Sequence, residues 1–221
     1  MKKINYLLFA VLLLLAACKK KDETPKSVTD VDGNTYQTVK IGDQVWMAEN
    51  LKTAKYNDGS SIANVTDANQ WSGATSGAYC YYNNAASNNG VYGKLYNWYA
   101  VNTGKLCPKG WHIPTKDEFA TLSSTLGGDN YAGGKLKATN AWTFPNTGAS
   151  NESGFSALPG GNRKEDGSFA FIDDYGYLWS STPDVSGWAF LRPLHYNDAT
   201  FNKGAIIPKS TGLSCRCLLD N

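Results

Sequence analysis

The run Cys107-Pro108-Lys109-Gly110-Trp111-His112-Ile113-Pro114-Thr115-Lys116-Asp117-Glu118-Phe119 constrains this chain more than any other part of it. Pro114 pushes Ile113 towards extended geometry. Thr115 is placed to cap a helix, and Glu118 three residues on completes a capping box. Phe119, Leu122 and Leu126 then recur at helical spacing, and Gly127-Gly128 stops the helix. An extended aromatic segment must therefore pass straight into an amphipathic helix. The cysteine at its start is expected to bridge to the far end of the chain.

Ahead of this lie features of export. Lys2 and Lys3 precede a nearly continuous apolar run from Tyr6 to Ala17, too short for a comfortable membrane span. The run ends Leu15-Ala16-Ala17-Cys18, which resembles a bacterial lipobox. The resemblance implies a signal peptide over residues 1–17 and a lipid anchor on Cys18. Lys19-Lys20-Lys21-Asp22-Glu23 resembles the pattern that sends Bacteroidota lipoproteins to the cell surface. Residues 18–27 are expected to be a lipidated tether, and the partner implied is the outer membrane, with the periplasm-facing leaflet as the alternative location. Several acyl chains hold a protein stably where one does not.

With Lys2 and Lys3 set aside, the 21 basic residues fall to the level of the 19 acidic ones. No basic surplus supports phosphate-driven binding, so nucleic acid is not an expected partner. Four cysteines remain beyond Cys18: Cys80, Cys107, Cys215 and Cys217. An even count in an exported chain reads as two disulfides. Joining Cys215 to Cys217 is geometrically poor, because they are neighbours on one face of a strand. The remaining pairings link Cys80 and Cys107 separately to the last strand.

Residues 28–221 are expected to form one domain. Asp32-Gly33-Asn34 separates strands at Val28–Val31 and Thr35–Ile41, and Gly42-Asp43 precedes another at Val45–Met47. Lys52 to Asn89 reads as long surface loops with a short strand at Ala78–Tyr82. Tyr92 to Val101 reads as a first helix, with Leu95, Trp98 and Tyr99 on one face. Tyr131 to Ala138 holds a further helical turn. Gly160-Gly161 reads as a turn after a strand. Short strands follow at Ser168–Ile172, Tyr177–Ser181, Trp188–Leu194, Thr200–Ile207 and Leu213–Leu219. In the last, Leu213, Cys215, Cys217 and Leu219 share the core face by alternation.

Several motifs carry a family resemblance, in order along the chain. They are Asp32-Gly33-Asn34-Thr35-Tyr36, Ile41-Gly42-Asp43-Gln44-Val45-Trp46-Met47-Ala48-Glu49-Asn50-Leu51, Tyr92-Gly93-Lys94-Leu95-Tyr96-Asn97-Trp98 and the Cys107–Thr115 run. Gly154-Phe155-Ser156-Ala157-Leu158-Pro159-Gly160-Gly161, Trp179-Ser180-Ser181-Thr182 and Ser214-Cys215-Arg216-Cys217 complete the set. Together they resemble the Fibrobacter succinogenes major paralogous domain of bacterial surface lipoproteins. More distantly, Trp111-His112-Ile113-Pro114-Thr115 with Glu118-Phe119 is similar to a motif of formylglycine-generating enzymes. That similarity implies an α+β, C-type-lectin-like fold: two helices, short twisted antiparallel sheets and long loops.

A formylglycine-type oxidase would need reduced, metal-binding cysteines near the C-terminus, which an exported location opposes. His112 and His195 are the only histidines, and no nucleophile elbow occurs. Asp173-Asp174 suits a turn better than a catalytic pair. No catalytic residue, metal site or cofactor is therefore expected, and the usual calcium-dependent lectin triplets are missing. The expected role is a non-catalytic binding or adhesion module for a polysaccharide or protein. A formylglycine-type oxidase and a structural coat protein are the alternatives. Trp71, Trp142, Tyr175, Trp188 and Tyr196 are the candidate aromatic contacts, with Arg163 for an acidic ligand group.

Overall fold

A computed structural model describes residues 24–201 and 203–220. The signal segment, Cys18 and the charged tether start lie outside the described residues. The chain is α+β, and its sheets are mostly antiparallel.

Three strands open it: β1 (Ser27–Thr29), β2 (Thr35–Ile41) and β3 (Gln44–Met47). The polar stretch that reads as loop then supplies β4 (Ala63–Asn64), α1 (Ala68–Ser72) and β5 (Ala78–Cys80). Asp67 caps α1 by accepting from the Gln70 amide. Next come α2 (Asn89–Tyr92), β6 (Leu95–Tyr96) and α3 (Trp98–Val101). The single helix expected from Tyr92 to Val101 is thus broken in two places. At Gly93, φ is +74° and a Cβ would lie 2.7 Å from the Leu51 carbonyl, so the backbone approach excludes helix there. Leu95 and Tyr96 are drawn into pairing with β5 and with Leu213. Asn97 then starts α3 by accepting from both Ala78 and Ala100 amides.

The strand-to-helix run behaves as its sequence demands. β7 (Trp111–His112) leads to α4 (Lys116–Thr125), capped by the Thr115/Glu118 box. α5 (Asp129–Leu136) follows. β8 (Gly160–Arg163) occupies the glycine pair expected to be a turn. At Gly161, φ is +60° and a Cβ would meet the Ala170 carbonyl at 2.6 Å, so glycine permits close strand pairing. β9 (Phe169–Ile172), β10 (Tyr175–Pro183), β11 (Trp188–His195), β12 (Ala205–Pro208) and β13 (Leu218–Leu219) complete the chain.

β13 lies between β3 and β7 in the five-stranded sheet β1-β2-β3-β13-β7. Met47 and Leu51 donate to the carbonyls of Cys217 and Cys215, which ties the chain end to its beginning. The expected strand Leu213–Leu219 is mostly irregular, but its alternation holds. Leu213, Cys215 and Cys217 enter one core cluster with Leu219 packed on it, while Leu218 enters another. That second cluster includes Trp46, Phe119, Leu122 and Phe155, with Trp46 stacked on Phe119 at 5.5 Å.

The long connections would strand many carbonyls away from water, and buried cations take them up. Lys137 donates to Thr147, His195 and Asp198 carbonyls. Arg216 donates to Phe155 and Ser156 carbonyls and to Asn50 Oδ1. Arg163 does the same for Val65, Thr66 and Gly167. All three cations are essentially inaccessible.

His112 clamps the chain end to α4. Its Nδ1 lies 2.6 Å from Asp220 Oδ1, and its Nε2 lies 2.9 Å from Glu118 Oε1. Burial alone would lower the imidazole pKa, but the hydrogen bonds and charges of Asp220 and Glu118 outweigh it and raise the pKa. A base raised on folding stabilises the fold fully below its unfolded pKa of about 6.5, and that stability is lost as pH rises through the folded value. We expect chemical denaturation to show His112→Gln costing about 1 kcal/mol or less at pH 6, since the site is partly solvated, and less still at pH 8. A cost that grows with pH would contradict this assignment.

Candidate functional site

The six sequence-nominated side chains separate into two groups. Trp71 is fully buried with Ala78, Cys80, Tyr82 and Leu95. The Arg163 guanidinium stands 4.5 Å over its ring and 5.0 Å from Phe169. Neither residue faces a ligand: Arg163 spends its donors on main-chain carbonyls, and Trp71 is the platform under it. Trp142 is also buried, donating its Nε1 proton to the Ala157 carbonyl beneath Lys137. Tyr196 packs half-buried against the second core cluster. The Trp71, Trp142 and Arg163 expectations are corrected for one reason: the loops fold back over the residues they carry, whereas Tyr196 keeps part of its surface open.

Trp188 is exposed and Tyr175 half-buried, both on the sheet β10-β11-β12. Antiparallel register sets Tyr175 opposite His195 and Tyr177 opposite Pro193. Leu178 and Leu194 turn the other way, into the core cluster that holds the α4 residues Phe119 and Leu122. On the open face the Tyr175 and Tyr177 rings lie 5.7 Å apart at 11°. Phe171 meets Tyr175 edge-on at 4.9 Å, and His195 does so at 4.6 Å from the opposite strand. Such edge and offset contacts are the arrangements that aromatic pairs prefer.

Two hollows share Tyr177 and Ile207 as a common wall. The larger, about 650 Å³, also takes in Leu191, Pro193 and His195, with Lys203 as its cationic group. The smaller, about 330 Å³, is lined by Asn162, Lys164, Phe171, Trp188 and Thr211. Both fall within the roughly 300–1,000 Å³ typical of small-ligand sites. Trp188 and Phe171 are 41% and 44% exposed, unlike the core aromatics. The Tyr177 hydroxyl has no hydrogen-bond partner among the described residues, and burial followed by its neighbour Tyr175 pushes its pKa up to about 12. It therefore offers a neutral donor and acceptor. Asp166 at the rim accepts from Ser168, chiefly its hydroxyl, which holds the carboxyl below its ordinary range. Tyr177, Phe171, Asn162 and Ile207 are members that sequence reading does not nominate. Tyr175–Tyr177 alternation in a strand is the one available signal, and Phe171 and Asn162 join only through β8–β9 pairing.

The sulfur chemistry departs from expectation at one bridge. Cys107 and Cys217 form a disulfide across 110 residues. Cys80 and Cys215 are buried thiols, not a second disulfide. Cys80 faces the Trp71 cluster and Cys215 the cluster holding Tyr96 and Trp179, so their side chains occupy different cores. Burial pushes the Cys80 thiol up to about 12, against a smaller opposing pull from Arg163. Burial alone raises Cys215 well above its ordinary value. Among the described residues no group of three or more His, Cys, Asp or Glu side chains is arranged to hold a metal ion, and no helix is long and apolar enough to cross a membrane.

Comparison with curated proteins and with solved structures returns no match. The sequence pattern of the Fibrobacter succinogenes major domain (Fib_succ_major) matches residues 39–218, from β2 through the first residue of β13. The match spans well over half of the chain and includes the capped helix, both disulfide cysteines and the ring-bearing sheet. The chain therefore belongs to the Fibrobacter succinogenes major domain family.

Proposed function

We propose that this protein is a non-catalytic binding module, displayed on the outer membrane through a lipid on Cys18, whose open β10-β11-β12 face takes a polysaccharide. The observation that carries the reading is the pair of adjoining hollows walled by Tyr177 and Ile207 and fringed by Trp188 and Phe171. Pyranose rings present apolar C–H faces and polar edges, which suit exposed aromatic faces with hydroxyl and amide groups between them. Adjoining hollows suit a chain of sugars better than an isolated metabolite. A lectin-like architecture is favoured by short curled sheets, by two consecutive helices and by the chain ends meeting in one sheet.

The oxidase alternative draws little support from the sulfurs. Cys217 is committed to Cys107, and Cys215 is a deeply buried thiol whose raised pKa disfavours the thiolate that metal ligation needs. A purely structural coat role leaves the exposed rings without a purpose. Glycan-array screening of the purified protein, followed by titration calorimetry on the best hit, tests the reading. Trp188→Ala is expected to weaken binding about 10- to 100-fold, in line with loss of an interface aromatic. Unchanged affinity in Trp188→Ala and Tyr177→Ala, or no glycan bound at all, would overturn it.

A further inference from the structure

Within that reading, on which this step rests, we infer that the smaller hollow is a subsite for a sugar carrying a free, protonated amino group. Three rings line the hollow, Phe171, Tyr177 and Trp188, and the first and last are exposed. The backbone presents Phe171 there at a cost. Phe169 and Ile172 lie three residues apart, yet both pack inward on the Trp71 cluster. Phe171, left-handed with φ +67°, makes that switch and keeps its own ring at the surface. Bulky side chains are uncommon in that region of backbone space, and such strain gathers at ligand clamps.

Charge selects what these rings take. The face of an aromatic ring attracts cations. The chain's own Lys164 already uses this one, its Nζ standing 5.8 Å from the centre of the Phe171 ring. Glu165 and Asp166 line the same hollow, both exposed, and neither forms an ion pair among the described residues. Two carboxylates against one ammonium leave the lining net negative. An ammonium on the ligand can take the place of Lys164 over Phe171, face Trp188 and donate to the open carboxylates. A hydroxyl or an acetamido N–H can bond a carboxylate too, but such a neutral donor leaves the charge of the carboxylate and the field of the rings unanswered. Hydrogen bonds with an ionised donor and acceptor are roughly twice as strong as neutral ones.

The test is titration calorimetry with chitotriose, cellotriose and triacetylchitotriose. These share a backbone and carry an amine, a hydroxyl or an acetamido group at the same ring position. At about pH 6 the amine and the two carboxylates are all charged. The protein is expected to bind chitotriose about 10-fold more tightly than either neutral sugar, the scale of a cation held by rings and a carboxylate. Added salt should narrow that gap. The double variant Glu165→Gln/Asp166→Asn changes only exposed groups and is expected to bring the three affinities together. Lys164→Met removes the competing ammonium and is expected to tighten chitotriose about 3-fold. Chitotriose binding no tighter than the neutral sugars overturns the subsite and leaves the polysaccharide reading standing. So does a preference that survives the double variant, a weaker chitotriose complex in Lys164→Met, or binding of other glycans but none of the three. Absence of all glycan binding removes both readings, as does Glu165-dependent binding of oligolysine in place of any glycan.

Discussion

Replacing Cys107 and Cys217 together by alanine is expected to lower unfolding stability by roughly 4–5 kcal/mol, the largest effect of any change at a sulfur in this chain. The bridge closes a loop of 110 residues, so cutting it returns a large amount of freedom to the unfolded chain. Both cysteines are buried in one core cluster, so the double alanine also removes two buried sulfurs. Cys107 sits in an irregular segment before β7, and Cys217 sits just before the two-residue β13. Against a usual total of about 5–15 kcal/mol, the variant would be marginal at best. Urea titration without reductant measures this, with reduction of the unaltered protein as the parallel experiment. A loss under about 1 kcal/mol would mean the unfolded chain is already constrained elsewhere. The other sulfurs should behave differently. Cys80→Ala and Cys215→Ala remove only a small buried group, and a thiol assay of the domain should find both thiols on denaturation but neither in the native state.

Arg163→Met should cost about 3–5 kcal/mol, although it preserves most of the side-chain volume. The guanidinium is 1% exposed and lies between the Trp71 and Phe169 rings. It donates to the carbonyls of Val65, Thr66 and Gly167, joining the β4–α1 connection to the β8–β9 hairpin. Removing it leaves those carbonyls without their donor and two rings without their cation. Arg163→Lys should recover little, because one ammonium cannot span the same fork. Hydrogen exchange would place the loss in residues 63–72 and 160–172. Wild-type protection there, with unchanged thermal stability, would refute the assignment. The same residue that reads from sequence as a contact for an acidic ligand is thus a strut between loops.

Elements written in short-range code are legible in the linear order of residues. Thr115, Glu118, the Phe119/Leu122 spacing and Gly127-Gly128 specify α4 within one span of residues, and α4 forms there. The turn at Asp32-Gly33-Asn34 between β1 and β2 does likewise. Leu213, Cys215 and Cys217 share a face as period two requires, even though most of that segment escapes regular pairing. The continuous Tyr92–Val101 helix does not form, because helical spacing in Leu95, Trp98 and Tyr99 is outweighed by distant partners, Tyr79 and Leu213. The expectation of exposed tryptophans is corrected for a related reason. Trp71 and Trp142 sit in polar, turn-rich sequence that looks solvated until Arg163 and Lys137 pack over them.

The capped helix, the core face of the final segment and the family motifs were determined by residues acting on near neighbours or in linear order. The tertiary structure alone decided which tryptophans are buried, which two cysteines meet and which rings line a common hollow. Those outcomes depend on segments far apart in sequence covering one another, and no local period records what will lie on top.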